Sequence, residues 1–275
     1  MESESPAKYD LHDLLKVMAR LRDPKTGCNW DLQQSYRTIA PSTIEEAYEV
    51  VDAIERDDFV HLREELGDLL FQVIFYSQLA LEEQRFSFDD VVQQLAAKLV
   101  RRHPHVFPAG TLESRREGDK PVDEQVIIKA WEAIKEEERS AKGATGVLAD
   151  VPVTLPATTR AAKLQKRASR CGFDWSDVTG VFNQLDEELQ ELREAINDAD
   201  QQGIAEEAGD LLFTAVNLTR HLGLDAESVL RAANAKFERR FNFIEKQLAD
   251  NGLSPELENI EQMENLWQAA KRSGL

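Results

Sequence analysis

Eight carboxylates carry the clearest chemical signal in this chain. Glu46 and Glu49 lie three residues apart, as do Glu65 and Asp68, with fifteen residues between the pairs. Residues at i and i+3 share one helical face. The intervening length lets a first helix finish, turn near Arg56-Asp57-Asp58 and return antiparallel, so that the two acidic pairs face each other. Glu188, Glu191, Glu207 and Asp210 repeat the arrangement, each 142 residues after its counterpart. EELGDLLF, from Glu64 to Phe71, is answered by EEAGDLLF, from Glu206 to Phe213. Four converging carboxylates without matching cations cannot be buried unpaired, and they suit a hard divalent cation.

Carboxylates without His or Cys fit Mg²⁺, which takes oxygen ligands and shares them with phosphates. The five histidines do not stand in Glu-x-x-His spacing on the acidic helices, which argues against a di-iron carboxylate redox site. Phosphate chemistry is the natural task. Glu187 or Glu206 could orient or deprotonate an attacking water. Lys236, Arg239 and Arg240 could hold phosphates and the charge on a leaving pyrophosphate. Asn217, two turns after Asp210, could meet a base or sugar, whereas Phe75 at the matching place in the first half could not. Trp267 either stacks on a base or anchors the last helix. Lys98, Arg101 and Arg102 either complement a helix dipole or reach phosphate oxygens. Neither a P-loop, nor a GxSxG elbow, nor zinc spacing occurs.

Helices must position these groups. Leu11, Leu14, Leu15, Met18 and Leu21 form an apolar stripe over Asp10 to Arg22. A loop from Cys28 leads to a helix capped by Ser42 or Thr43, with Glu45 or Glu46 completing a capping box. The next helix spans Phe59 to Glu83, and its apolar centre predicts burial on most sides. Gly67 within it suggests close approach by another helix or a ligand, since a mid-helix Gly otherwise costs up to ~1 kcal/mol. Ser87 or Asp89 caps a helix from Val91 to Arg102, and another covers Val122 to Arg139. Ser140 to Pro156, rich in small residues, Gly and Pro, reads as a linker. Helices over Ala157 to Arg170, Val178 to Asp198, Gly203 to Leu222, Ala226 to Leu248 and Ser254 to Ser273 complete the second half. No strand pattern appears, so the fold class is all-α with about four helices per module.

The 275 residues leave room for two domains. The net charge of −18 argues against stable binding to nucleic acid or an anionic membrane. A small phosphorylated substrate handled by local Lys and Arg remains compatible with it. No run approaches ~20 apolar residues. The start, Met1 to Asp10, is acidic and polar, unlike a secretory signal. Two lone thiols, Cys28 and Cys171, make no disulfide framework. The expected location is the cytoplasm.

IEEAYEVVDAI with REELGDLLFQV in the first half, and AAKLQKRA, GFDW, EELQEL, EEAGDLLF and NAKFERRF in the second, give a resemblance over nearly the full length. The chain resembles the MazG family of two-domain nucleoside triphosphate pyrophosphohydrolases. That family lies in the all-α NTP pyrophosphatase superfamily, with dimeric dUTPases and phosphoribosyl-ATP pyrophosphohydrolase. The resemblance implies two tandem MazG-like four-helix modules: residues 1–139, a linker at 140–156, and residues 157–275 as the main catalytic module. It implies hydrolysis of NTP to NMP and pyrophosphate, broad base specificity, and dependence on Mg²⁺, with Mn²⁺ as a substitute. It also implies a homodimer and a house-cleaning or stringent-response role. The implied metal ligands are Glu188, Glu191, Glu207 and Asp210, with Glu46, Glu49, Glu65 and Asp68 as a second site. Glu187 and Glu206 are the implied catalytic carboxylates. The residues expected to meet nucleotide are Gln184, Asn217, Lys236, Arg239, Arg240 and Trp267. Two other readings predict different behaviour: a helical adaptor with solvated acidic faces, and a di-metal redox protein with a visible chromophore.

Overall fold

The computed structural model describes residues 8–118, 122–141, 146–256 and 259–275. The first residues of the chain, part of the loop before Val122 and residues 142–145 of the expected linker lie outside the described residues. Eleven helices and no strands occur among the described residues. The chain divides into two compact units, Met1–Glu137 and Glu138–Leu275.

The first unit opens with α1 (Leu11–Leu21), capped reciprocally by Asp10 and Asp13. A one-turn helix, α2 (Asn29–Leu32), stands where a loop was expected. α3 (Tyr36–Glu55) is capped about two turns before the expected Ser42 or Thr43 cap. Ser35 and Thr38 form a capping box there, and Pro41 is accommodated inside the helix. Pro41, the sixth residue of the helix, takes away one backbone bond, the one that would end on the Arg37 carbonyl. The capping box therefore decides the boundary. Thr43 caps nothing: its hydroxyl bonds the Ile39 carbonyl and meets the Tyr76 hydroxyl at 2.7 Å. Glu45 and Glu46 are thereby freed from any capping role.

The turn from α3 to α4 (Phe59–Glu82) is a Schellman motif. Asp57 takes a left-handed φ of 54°, its N–H reaching Ile54 O and the next N–H reaching Ala53 O. Asp58 then caps α4 by accepting from His61 N. The second unit repeats this between α8 (Val178–Asn197) and α9 (Gln201–His221). Ala199 has φ 53°, its N–H reaches Ile196 O, the Asp200 N–H reaches Ala195 O, and Asp200 caps α9. A β-carbon in this conformation is disfavoured by roughly 1 kcal/mol, and both turns accept that cost for the same reversal. Each reversal lays two long helices antiparallel, and these are the most extensive helix contacts in their units.

Met18, Ile39, Ile74, Phe75 and Leu79 form the first unit's core, with Leu14, Leu15 and Phe71 packed against it. α1 is tied to α4 by Arg22. Its guanidinium forks onto Glu82 at 2.7–3.2 Å, donates to the Asp31 carbonyl, and lies 5.4 Å from the Phe75 ring centroid. α5 (Phe88–Arg102), capped by Ser87, and α6 (Glu124–Ala141) follow. In the second unit α7 (Ala157–Arg170) packs on α9, where Gln165 Nε2 donates to the Phe213 carbonyl at 2.8 Å. α10 (Ala226–Ala249) packs chiefly on α11 (Ile260–Arg272), a helix shorter than the expected Ser254–Ser273.

Two expectations for α4 do not hold within one chain. Leu66, Leu70, Val73 and Leu81 are exposed, so its apolar centre is covered on one side only. A Cβ built on Gly67 meets nothing within 4 Å, and the same is true of Gly209 on α9. Among the described residues nothing makes the close approach that a mid-helix glycine suggests.

Arg22 holds the Glu82 carboxyl below the ordinary glutamate value of 4.5. A depressed carboxylate stabilises the fold above its unfolded pKa, and that contribution disappears as pH falls through the lower folded value. Urea unfolding of the first unit should therefore show wild type losing more stability below pH ~4.5 than Glu82→Gln does. Parallel slopes would refute the assignment.

Candidate metal and nucleotide site

The antiparallel helix pairs bring the acidic faces together. In the second unit carboxylate oxygens of Glu188, Glu207 and Asp210 all lie within 4.8 Å of one another. Glu191 adjoins them, and its charge bears on Glu207. In the first unit Glu46, Glu49 and Glu65 converge within the same distance, and Asp68 adds its charge from the next turn. Neither cluster gathers all four oxygens at that distance.

Glu188 is the most constrained of these groups. It is buried to 8% exposure, and its hydrogen-bond donor among the described residues is Gln184 Nε2 at 2.9 Å. A buried carboxylate facing other carboxylates needs a cation. The all-oxygen donor set is one that Mg²⁺ or Mn²⁺ accepts, and neither His nor Cys competes for it. The electrostatics agree. Partial burial, then the Glu191 charge, pushes the Glu207 carboxyl above its ordinary value. Partial burial followed by Asp68 does the same to Glu46, and partial burial followed by Glu49 to Glu65.

The remaining predicted residues divide into groups. Glu187 and Glu206 are exposed on α8 and α9, beside the ligand positions, and Glu206 accepts from Gln202 at 2.9 Å. Gln184 is joined to Glu188 rather than standing apart as a nucleotide contact. Asn217 is buried at 4% exposure, and its Oδ1 accepts from Arg220 Nε at 2.8 Å. Lys236 and Arg239 are exposed on α10, and among the described residues no hydrogen bond or ion pair joins them to the acidic cluster. Arg240 donates to the Leu275 carbonyl and lies 5.4 Å from the Trp267 ring centroid. Trp267 sits half-buried between α10 and α11, 5.4 Å from Phe237. In the first unit Lys98, Arg101 and Arg102 occupy the last turn and a half of α5.

Sequence reasoning missed the partners of Asn217. Arg220 NH2 pairs with Asp174 at 2.5 Å, and His221 Nε2 meets the same oxygen at 2.9 Å. The one available signal was the GFDW echo of Asn29-Trp30-Asp31. It marked Asp174 as part of the repeat without saying what it touches.

Comparison with known proteins gives a consistent result. The family described as "MazG nucleotide pyrophosphohydrolase domain" matches residues 34–107 and 178–243, which include both acidic helix pairs. The chain is 49% identical over 263 residues to a "Nucleoside triphosphate pyrophosphohydrolase" of Escherichia coli K12, covering 94% of this chain and 96% of that one. It is 40% identical over 259 residues to the Thermotoga maritima "Nucleoside triphosphate pyrophosphohydrolase/pyrophosphatase MazG", covering 94% of each.

Raised carboxylate pKa values mean that the folded, metal-free state holds protons more tightly than the unfolded chain. Its stability then falls as pH rises from 4.5 through the raised values. In EDTA at pH 7.5, Glu207→Gln should melt roughly 1–2 °C higher than wild type, with the difference gone near pH ~4. A lower melting temperature in the variant would contradict mutual repulsion.

Proposed function

The chain belongs to the MazG nucleotide pyrophosphohydrolase family, and on that premise we propose that it cleaves nucleoside triphosphates between the α and β phosphates. It is a nucleoside triphosphate pyrophosphohydrolase, and the products on this reading are nucleoside monophosphate and pyrophosphate. The observation that carries the site assignment is the buried Glu188 carboxylate beside Glu207 and Asp210.

On this reading residues 157–275 form the main catalytic module, residues 1–139 a related module, and 140–156 the connection. Glu188, Glu191, Glu207 and Asp210 hold the cation, Mg²⁺ or Mn²⁺. When bound, the cation neutralises the phosphates and acidifies the attacking water. The chain's own groups do the rest. Gln184 fixes the Glu188 carboxylate through its amide. Glu187 or Glu206, both exposed at the edge of the cluster, accepts the proton as water attacks the α-phosphorus. The bridging P–O bond breaks and its electron pair leaves with pyrophosphate. Lys236, Arg239 and Arg240 meet the phosphates, and Trp267 meets the base. No base-reading side chain other than Asn217 is assigned, which suits broad specificity.

The first unit has the same carboxylates but carries Phe75 in place of Asn217. This favours metal binding there over nucleotide turnover. Glu46, Glu49, Glu65 and Asp68 are thus a second cation site.

A homodimer is the assembly proposed. Leu212 is 70% exposed and lines, with Phe213, Leu230, Gly209 and Val216, an apolar cleft of about 660 Å³. The first unit has its own exposed row on α4. Apolar faces of this kind mark association surfaces, and a second copy would supply the neighbour that Gly67 and Gly209 lack. No helix among the described residues is long and apolar enough to cross a membrane. A cytoplasmic role in clearing unwanted triphosphates or lowering stringent-response nucleotides fits this chemistry. Nucleotide measurements in a deletion strain test it, and unchanged pools would count against it.

Purified protein with mixed NTPs and Mg²⁺ should yield NMP and pyrophosphate. Loss of residues that merely support a metal ligand lowers activity ~10–100-fold. Glu188→Ala should therefore lose at least about 100-fold in kcat/KM, and Glu46→Ala less than about tenfold. Release of NDP and phosphate would identify a different scissile bond. A larger loss in Glu46→Ala would reverse the module assignment.

A further inference from the structure

Asn217 is useful to a nucleotide only if its amide is held one way round. Its carbonyl and NH₂ ends are nearly isosteric, and one accepts where the other donates. The structure supplies what holds it. Arg220 Nε–H, a donor with no accepting capacity, points at Oδ1 across 2.8 Å. Arg220 is itself fixed, because its other arm is paired with Asp174. Asp174 also binds His221 Nε2, which ties the GFDW loop to the end of α9. The Arg220 and His221 side chains are largely buried, at 19% and 12% exposure, and Asp174 meets them from an exposed loop with its own side chain 22% exposed. The Asp174 carboxyl is held below its ordinary value, first by Arg220 and then by His221.

The first unit offers an internal comparison. Phe75 stands at the Asn217 position, Gln78 at that of Arg220 and Leu79 at that of His221. Gln78 bonds Glu82 along its own helix at 3.0 Å, and the nearby cation, Arg22, lies against the Phe75 ring. Asn217 and Arg220 are thus present together in one unit and replaced together in the other, while Asp174 keeps a counterpart in Asp31. An arginine serving only to fasten the loop to the helix would have no reason to depend on what stands at position 217.

Distance adds a second argument. Asn217 lies seven residues after Asp210 on α9, which at 1.5 Å per residue is about 10 Å along the helix. That is the scale separating a nucleoside from the phosphates it carries.

We propose that Arg220, clamped by Asp174, is a positioning residue that locks Asn217 with its NH₂ end presented to an acceptor on the substrate's nucleoside moiety. The acceptor is a base carbonyl, a ring nitrogen or a sugar oxygen. The proposal rests on the nucleotide reading of the second unit and adds the device that sets its polarity. The device acts on the nucleoside and leaves the phosphate end untouched.

The experiment uses the full-length protein and two probes, a nucleoside monophosphate and inorganic pyrophosphate, titrated by calorimetry in Mg²⁺. The variants are Arg220→Gln, Asn217→Ala and the double substitution. Arg220→Gln should weaken monophosphate binding about tenfold, with pyrophosphate affinity unchanged. Asn217→Ala should do the same. The double variant should be no weaker than either single one, because Arg220 acts through Asn217. Additive losses, or equal loss of both probes, would reduce Arg220 to a structural tie and overturn the proposal. So would a wild-type protein that binds no monophosphate. Thermal melts exclude variants that have simply unfolded, and Arg220→Lys, which keeps the charge without the fork, then serves in place of Arg220→Gln with the same expected losses. Wild-type binding of monophosphate without any turnover of triphosphate would refute the hydrolase reading and leave the clamp intact.

Discussion

Mutual repulsion among carboxylates at the seam of two antiparallel helices is the constraint around which each unit is built. Such a seam would splay unless something else fixed the helices. In both units the fixing elements are local and repeated: a Schellman turn with a non-glycine residue at positive φ, followed at once by an aspartate cap. The apolar faces of the same helices are held by α1 in one unit and by α7 in the other. The acidic groups are therefore preorganised by backbone geometry, and a cation is needed to balance charge rather than to bring the helices together. Partial burial first, and the neighbouring carboxylates second, push Glu46, Glu65 and Glu207 upward, while Glu82, paired with Arg22, is held downward.

Much of this was legible in the sequence because helices advertise themselves through local periodicity. The 142-residue offset exposed the tandem repeat, and i, i+3 spacing placed each acidic pair on one face. The errors have physical causes. The start of α3 lies earlier than expected because Pro41 looks like a breaker, whereas in the second turn it removes a single backbone bond and the Ser35–Thr38 capping box upstream sets the boundary. The centre of α4 was read as buried because apolar content says that a face will be covered without saying by which chain. Gly67 likewise has no close neighbour among the described residues, so the helix or ligand its glycine suggests would have to come from outside the chain. The Arg220–Asp174 pair spans 46 residues between a loop and a helix end, and no periodicity connects such positions.

The two units share a scaffold and differ in how an arginine is used. In the first, Arg22 bridges α1 to α4 and lies on Phe75, so the region beyond the acidic cluster is closed by an aromatic ring and a fully engaged cation. In the second, the corresponding region holds an amide, an arginine and an aspartate in series. The first arrangement favours stability, with a large side chain at 1% exposure. The second unit, whose buried apolar cluster of Ala161, Val216 and Ala226 is small, gives the same region to polar groups, with Asn217 at 4% exposure. A duplicated fold lets one copy be optimised as a rigid body while the other retains chemistry that costs stability.

The two late helices give each unit its own optical reporter. Trp131 on α6 lies 4.3 Å from Lys135 Nζ by ring centroid and 5.7 Å from the His103 imidazole. Trp267 on α11 lies among Phe237, Arg240 and Lys271. Indole emission responds to a cation at the ring face and is quenched by a protonated imidazole. Trp131 emission is therefore tied to where the Lys135 ammonium rests, and Trp267 emission to where the Arg240 guanidinium rests. Once Trp30 and Trp175 are replaced by phenylalanine, Trp131 and Trp267 are left as one reporter per unit, so that each half of the duplicated chain can be followed by its own light while both remain in one molecule.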